Sequence, residues 1–304
     1  MLAGALVREV AAEVCTAYGS TPAVPKTNPR SAKPIPAQRD ARTAVVLDGL
    51  FVPTEKRQGR ALDAIRPVEM SPGFHRNAEG SVLYRAGGTV VLATASVDPS
   101  VPDFLKGRGA GWVTAEYQMH PRANPRRREP RDGRDRPLGG RAREIQRLVG
   151  RSLRAAVDLE RLGERTVHVD CDVLEADGGT RTASITAGWV ALVLGLRAAS
   201  QTGLVARNPL RDQIAAVSVG HVDGEYALDL NYAEDSSARV DLNVAATACG
   251  DIVEIQGTAE GRAVARTEVD AMVDLAMRGI ADLCAVQREV LSAAGVTVDG
   301  LLAR

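Results

Sequence analysis

The sequence predicts an α+β fold, and three observations carry that prediction. Strand-like and helix-like runs are mixed along the chain without the strict alternation of a doubly wound parallel sheet. The stretch "SVLYRAGGTVVLATASVD" splits at Gly87-Gly88 into two β-rich runs, as a hairpin does. In the second half, four short strands at 214–220, 226–232, 239–247 and 252–257 precede one long helix.

The elements follow in order. Residues 20 to 60 are rich in Pro, Ser, Thr, Lys and Arg with little periodicity, which predicts a disordered or extended linker. The globular part is expected to start between Arg57 and Ile65. After the hairpin, "GWVTAEYQM" is a third β run, and an Arg/Pro loop spans 122–139. Ile145, Leu148, Val149, Leu153, Ala156 and Val157 keep helical spacing and predict a helix over about 140–160. "RTVHVDCDVLEA" is the next strand. It runs into Gly178-Gly179-Thr180-Arg181 and then a helix with Ile185, Trp189, Leu192, Val193 and Leu196 as its buried face. The last helix starts near Thr267, with Val269, Met272, Val273, Ala276, Ile280, Leu283 and Cys284 as its stripe. There is no solenoid repeat.

The formal net charge of the 304 residues is zero, but charge is unevenly spread. From Arg122 to Arg154 twelve arginines accompany four acids, a balance of +8; from Asp223 to the end the balance is −9. The basic stretch suggests a polyanion surface, the alternative being a solvated charged face. Four scattered cysteines, without a CxxC pair, fit neither a zinc site nor a disulfide framework and suggest a reduced, cytoplasmic setting. No apolar run approaches the roughly 18 residues that cross a membrane. The first fifteen residues carry Glu9 and Glu13 and lack the basic start of a signal peptide.

Glycines before a helix N-terminus let an anion approach unpaired N–H groups. Gly-Gly-Thr-Arg therefore suits a phosphate, with a hydroxyl from Thr180 and a bidentate guanidinium from Arg181. The alternative is a capped helix after a tight turn. At 100° per residue, Arg181 lines up with the buried Ile185, Gly188 and Leu192, and Arg141 lies above Ile145 and Leu148. Two arginines aimed inward at two helix starts need an anion, or a carboxylate such as Asp170, Asp172 or Asp177. A second constellation is "LDLNYAEDSSARVDLNV". It places Asp235 in a turn and Asp241 on the following strand, opposite in facing to Val240 and Leu242. Such a pair can bind Mg²⁺ or act as acid and base. The four histidines show no metal-ligand spacing, and no nucleophile elbow is present.

These residues carry a family likeness. From about Arg57 to Glu289 the chain resembles ribonuclease PH, a phosphate-dependent exoribonuclease that trims tRNA 3′ ends. The matching stretches, in order, are "GRALDAIRPV", "AEGSVLYRAGGTVVLATASV", "GWVTAEYQMHPR", "GGRAREIQRLVGRSLRAAVDLERLGERT", "DCDVLEADGGTRTASITAGWVAL", "NYAEDSSARVDLNV" and "EIQGTAEG". The resemblance implies a fold like domain 2 of ribosomal protein S5 over 56–205 and a smaller α+β second half over 206–304. Residues 1–55 have no counterpart in the family; a real tail and an upstream start codon both stay open. The resemblance further implies phosphate contacts at Arg141, Gly179, Thr180 and Arg181, and catalysis or Mg²⁺ binding at Asp235 and Asp241. It implies RNA contacts at Arg122, Arg126, Arg127 and Arg128, with an arm richer in arginine than the family pattern. It implies a homohexamer, a trimer of dimers, that uses inorganic phosphate as co-substrate. The rival implication is an inactive, RNA-binding ring subunit. Such a subunit typically lacks the phosphate arginine or the acidic pair, and both are present here.

Overall fold

The computed structural model describes residues 56–57, 59–126, 128 and 139–298. The predicted tail, 1–55, and Arg127 lie outside these.

Two antiparallel-rich sheets sandwich one helix. The first sheet holds β1 (Val68–Pro72), β2 (Gly80–Ala86), β3 (Thr89–Asp98), β4 (Trp112–Met119) and β5 (Thr166–Glu175) in the order β1-β2-β3-β5-β4. Only the β4–β5 pair is parallel. Parallel neighbours need a crossover, which α1 (Gly140–Ala155) and the single turn α2 (Leu159–Leu162) provide. The predicted 140–160 helix divides because Asp158 caps a new start. Its carboxylate accepts the N–H groups of Glu160 and Arg161. The hairpin forms at Gly87-Gly88 as predicted. Strand β1 was not picked out from the sequence: Val68-Glu69-Met70-Ser71 alternates, but over only four residues before Pro72, and it lies at the sheet edge, where proline is tolerated.

Helix α3 (Thr180–Gln201) packs on β2, β3 and β5 and, on its other side, on β6 (Ile214–Val222) and β8 (Val240–Thr247) of the second sheet. That sheet adds β7 (Glu225–Leu228) and β9 (Ile252–Ala259) in the order β7-β6-β8-β9, all antiparallel. The long helix α5 (Arg266–Ala293) covers its other face. Being buried on two sides, α3 is apolar nearly all round. By length and composition it could cross a membrane, contrary to the sequence reading, but 83% of its most apolar stretch is buried inside the protein. Burial of Ile185 and Leu192 contributes about 1.5–3 kcal/mol each. The Trp189 indole N–H donates to the Asp212 carbonyl at 3.0 Å. Close approach of α3 requires Gly80: a Cβ there would collide with the Ala191 carbonyl oxygen and the Gly195 backbone.

In β8, Val240, Leu242 and Val244 face the core under α5, while Asp241 and Asn243 point to the other side and stay half-buried. The predicted strand 226–232 ends at Leu228, because Asp229 takes φ 54° and turns the chain. Asn231 then caps the single helical turn α4 (Tyr232–Asp235).

Candidate active site

Between β5 and α3, Gly178 (φ 75°) and Gly179 (φ 62°) occupy the left-handed region. A Cβ on Gly178 would meet the Leu230 carbonyl and lie 2.6 Å from the Asn231 carbonyl carbon. The first glycine therefore serves the close passage of the 230–231 backbone, a reason the sequence did not reveal. Gly179 is the N-cap of α3. Thr180 is buried, and its hydroxyl lies 2.9 Å from that of Tyr117. Burial pushes the Tyr117 phenol upward, and the charges of Arg141 and Arg181 pull it back.

Arg181 is 16% exposed. Its guanidinium donates to Glu144 Oε1 at 3.2 Å and to Gln256 Oε1 at 3.1 Å. The carboxylate it meets is thus Glu144, on the first turn of α1, and not Asp170, Asp172 or Asp177. Asp170 and Asp172 alternate with the core-facing Val169, Cys171 and Val173, so they lie on the opposite face of β5 from α3. The Asp177 carboxylate accepts the Tyr232 N–H at 3.2 Å. Arg141 also departs from expectation. Ile145 and Leu148 are buried below it, but Arg141 sits at the very start of α1, beyond the part that packs on β4, and is exposed. Its charge still bears on Asp235, Asp241 and Tyr117.

Asp235 is the last residue of α4 rather than a turn residue, and Asp241 is the second residue of β8. Burial pushes both carboxyls upward. Asp241 reaches about 6, because the charge of Asp235 adds to the effect of burial. The charges of Arg181 and Arg141 and a hydrogen bond from Asn243 Nδ2 oppose the shift. Two arginines and two carboxylates thus share one electrostatic field at the start of α3. Among the described residues no group of three or more His, Cys, Asp or Glu is placed to hold a metal. Asp235 and Asp241 can still fit Mg²⁺, which commonly takes one or two carboxylates and completes its shell with phosphate oxygens and water.

Three arginines of the stretch 57–66 (Arg57, just before "GRALDAIRPV", and Arg60 and Arg66 within it), whose function the sequence did not reveal, hold the acidic segment in place. Arg66 is buried and donates through Nε and NH2 to the two Asp229 oxygens at 3.0 and 2.8 Å, and through NH1 to the Asp177 carbonyl at 2.7 Å. It ties the Gly-Gly turn to the acidic segment. Arg57 and Arg60 donate to the Leu228 carbonyl and form ion pairs with the fully buried Glu234 at 3.3 and 3.5 Å. Glu234 and Asn231 also complete a capping box around α4. The only sequence signal was the density of arginine in an otherwise apolar stretch.

Of the predicted RNA-contacting arginines, Arg122, Arg126 and Arg128 are exposed. The Arg126 guanidinium lies 5.3 Å from the centre of the Tyr232 ring, on the same turn as Asp235.

Comparison with known proteins agrees with this geometry. Residues 64–195 match domain 1 of the 3′ exoribonuclease family, and residues 212–279 match its domain 2. Ribonuclease PH from Syntrophomonas wolfei is 49% identical over 237 residues, which cover 78% of this chain and 99% of that protein. The chain belongs to the 3′ exoribonuclease family and is an exoribonuclease of the ribonuclease PH type. The fold recurs in rice Rrp46 (18% identity, TM-score 0.62), with 77% of this chain and 98% of that one covered. It recurs also in the Archaeoglobus fulgidus exosome solved with RNA bound to the active site (25% identity, TM-score 0.61), with 74% and 89% covered.

Proposed function

We propose that the chain trims tRNA precursors from the 3′ end by phosphorolysis, as a tRNA nucleotidyltransferase. One observation carries the reading. Arg181, at the start of α3, donates to Gln256 at 3.1 Å, and Asn243, the strand partner of Gln256, donates to Asp241 at 3.2 Å, so a cationic half for an attacking phosphate adjoins an acidic half for a leaving oxygen. Arg141, Arg181 and the N–H groups of Gly179 and Thr180 bind inorganic phosphate. The Thr180 hydroxyl is shared with Tyr117. A phosphate oxygen attacks the last phosphodiester phosphorus, the bond to the 3′-oxygen of the preceding nucleotide breaks, and a nucleoside diphosphate leaves. The two arginines offset the charge that builds up. Asp241, protonated near neutrality more often than an ordinary aspartate, supplies the proton to the departing 3′-oxygen. Mg²⁺, where bound, would be held by Asp235 and Asp241 and would neutralise phosphate charge. The exposed arginines 122, 126 and 128, with Arg127, take the RNA backbone. The resemblance also supports a cytoplasmic homohexamer built as a trimer of dimers, with each chain divided into 56–205 and 206–304.

The test is RNA degradation against phosphate concentration, with products identified. Nucleoside diphosphates should form only with phosphate. Arg181→Ala or Arg141→Ala should raise the phosphate KM and lower kcat, a combined loss of roughly 30- to 150-fold for a charge-assisted contact of about 2–3 kcal/mol. Monophosphate products independent of phosphate would replace the reading with hydrolysis.

A further inference from the structure

Tyr232 is an exposed aromatic in a chain with few aromatics. It keeps 38% of its surface open although its backbone is pinned by the Asp177 carboxylate and by the Asn231 cap just before it. Positions i and i+3 of a helical turn are neighbours, so the ring stands on the same side of α4 as Asp235. Whatever lies on Tyr232 therefore lies on the side of α4 that carries Asp235, one of the acidic pair. One ring face carries the guanidinium of Arg126, whose own side chain is exposed. A planar cation on an aromatic face marks a surface that accepts flat, electron-poor or π-bearing groups. A nucleobase is such a group, and every base has a π face, so stacking tolerates any sequence. That tolerance suits an enzyme that must remove whichever nucleotide comes last.

We propose that Tyr232 is the platform for the base of the RNA's 3′-terminal nucleotide, and that the exposed Arg126 guanidinium, now 5.3 Å from the ring centre, swings outward to admit the base and then lies on its far side. Resting on the exoribonuclease reading, it adds a positioning residue to that site. It also gives Arg126 a second task beside its RNA-backbone contact, since the face of its guanidinium can cover a base while its N–H edge meets a phosphate. The short rigid turn explains how stacking aids chemistry. A base held on Tyr232 fixes the last nucleotide relative to Asp235, three residues away, and so sets the scissile bond between the acidic pair and the phosphate arginines.

The test uses binding alone, without phosphate, so it stands whether the reaction is phosphorolytic or hydrolytic. An oligonucleotide with 2-aminopurine at its 3′ end is titrated with the full-length protein. Stacking should quench its fluorescence. Tyr232→Phe should retain the quench, because the ring is kept. Tyr232→Leu should abolish it and weaken binding about 5- to 150-fold, the range for loss of one base–aromatic stack. The same oligonucleotide with an abasic 3′ end should bind the normal protein more weakly by a similar factor. Against that abasic RNA, Tyr232→Leu should cause no further loss. Arg126→Ala should reduce the quench more than Arg126→Lys does, since only the guanidinium is flat. An undiminished quench in Tyr232→Leu would overturn the proposal. So would an equal loss for normal and abasic RNA, which would mean that the substitution merely distorts α4; circular dichroism melting of the variant checks that cause directly.

Discussion

Two sets of arginines meet the segment 228–241, and they differ in how fully they are satisfied. Arg57, Arg60 and Arg66 approach from the N-terminal stretch. Their donors go to the Leu228 and Asp229 carbonyls and to the buried carboxylates of Asp229 and Glu234. Arg141 and Arg181 belong to the starts of α1 and α3. Arg181 has one partially exposed carboxylate and one amide, and among the described residues no hydrogen bond holds the Arg141 guanidinium. The same side chain does two jobs. A buried guanidinium must find its anions within the protein, because leaving one unmatched is costly. A guanidinium at the site rim can wait for an anion from outside. The number of internal partners, rather than residue type or burial alone, separates the clamp from the binding site, although the clamp itself leaves Arg57 Nε and Glu234 Oε1 buried without a hydrogen bond.

The sharpest way to break this comparison is to remove one arginine from each set. Arg66→Ala leaves Asp229 buried without its partner and should cost about 3–5 kcal/mol in urea unfolding. Arg181→Ala should leave the unfolding midpoint nearly unchanged. Acid dependence adds a sign. Burial pushes the Asp229 carboxyl up, but the charge and hydrogen bonds of Arg66 outweigh it and hold the group below the usual range. That stability is present above the unfolded pKa of about 3.9 and is lost as pH falls through the folded value. In Arg66→Ala the guanidinium is lost while the residue-66 N–H and the charge of Arg60 still act on Asp229 against its burial, so the acid dependence should shrink. Equal destabilisation by the two substitutions would erase the distinction.

The next largest effect concerns the acidic half. Asp241→Asn should lower kcat by about 10²-fold, with the phosphate KM little changed, if Asp241 is the proton donor. Its pKa near 6 makes the role visible in the pH profile. A proton donor loses activity as pH rises through about 6. A metal ligand must be ionised, so it gains activity over the same window. Asp235→Asn removes the neighbouring negative charge that helps raise Asp241 and should move that limb to lower pH in either case. A limb that stays in place in Asp235→Asn would separate the two carboxylates electrostatically and remove the basis for treating them as a pair. Because phosphate itself titrates nearby, the profile is compared with that of Asp241→Asn, where the limb should vanish.

Much of the molecule was legible in the sequence where periodicity is local. The Gly87-Gly88 hairpin, the faces of α1 and α5, and the outward facing of Asp241 all follow from spacing within a dozen residues, whereas α3, for which one buried face was expected, is buried nearly all round. What stayed hidden depends on distant pairing. The partner of Arg66 lies 163 positions away, and nothing in "GRALDAIRPV" names Asp229. Gly178 suggested an anion, yet its neighbour is the backbone of residues 230–231. The inward aim of Arg141 failed for a related reason: helical phase gives the side of a helix, but not where its neighbour ends. Arg141 and Arg181 do meet the electrostatic field of Asp235 and Asp241, and it was the family likeness, more than the geometry of either helix, that put those four residues together.

The smallest expected effect tests how open the functional arginines are. Arg181 is not idle, since Glu144 Oε1 takes one of its N–H groups at 3.2 Å. A phosphate that binds Arg181 must share that guanidinium with Glu144 or displace it, and the two anions repel each other. The Glu144 side chain is 47% exposed, so the pair is screened and is worth about 0.2–1 kcal/mol. Glu144→Gln keeps the size and one hydrogen-bond acceptor but removes the charge. The phosphate KM should therefore fall by about 1.4- to 5-fold with kcat unchanged, and the gain should shrink as salt is added. Gln256→Ala removes a neutral acceptor from the same guanidinium and should leave the phosphate KM nearly constant. If Glu144→Gln instead raises the phosphate KM, Glu144 is a brace that points Arg181 at its ligand. Arg181 would then resemble the clamp arginines, which work through partners inside the protein.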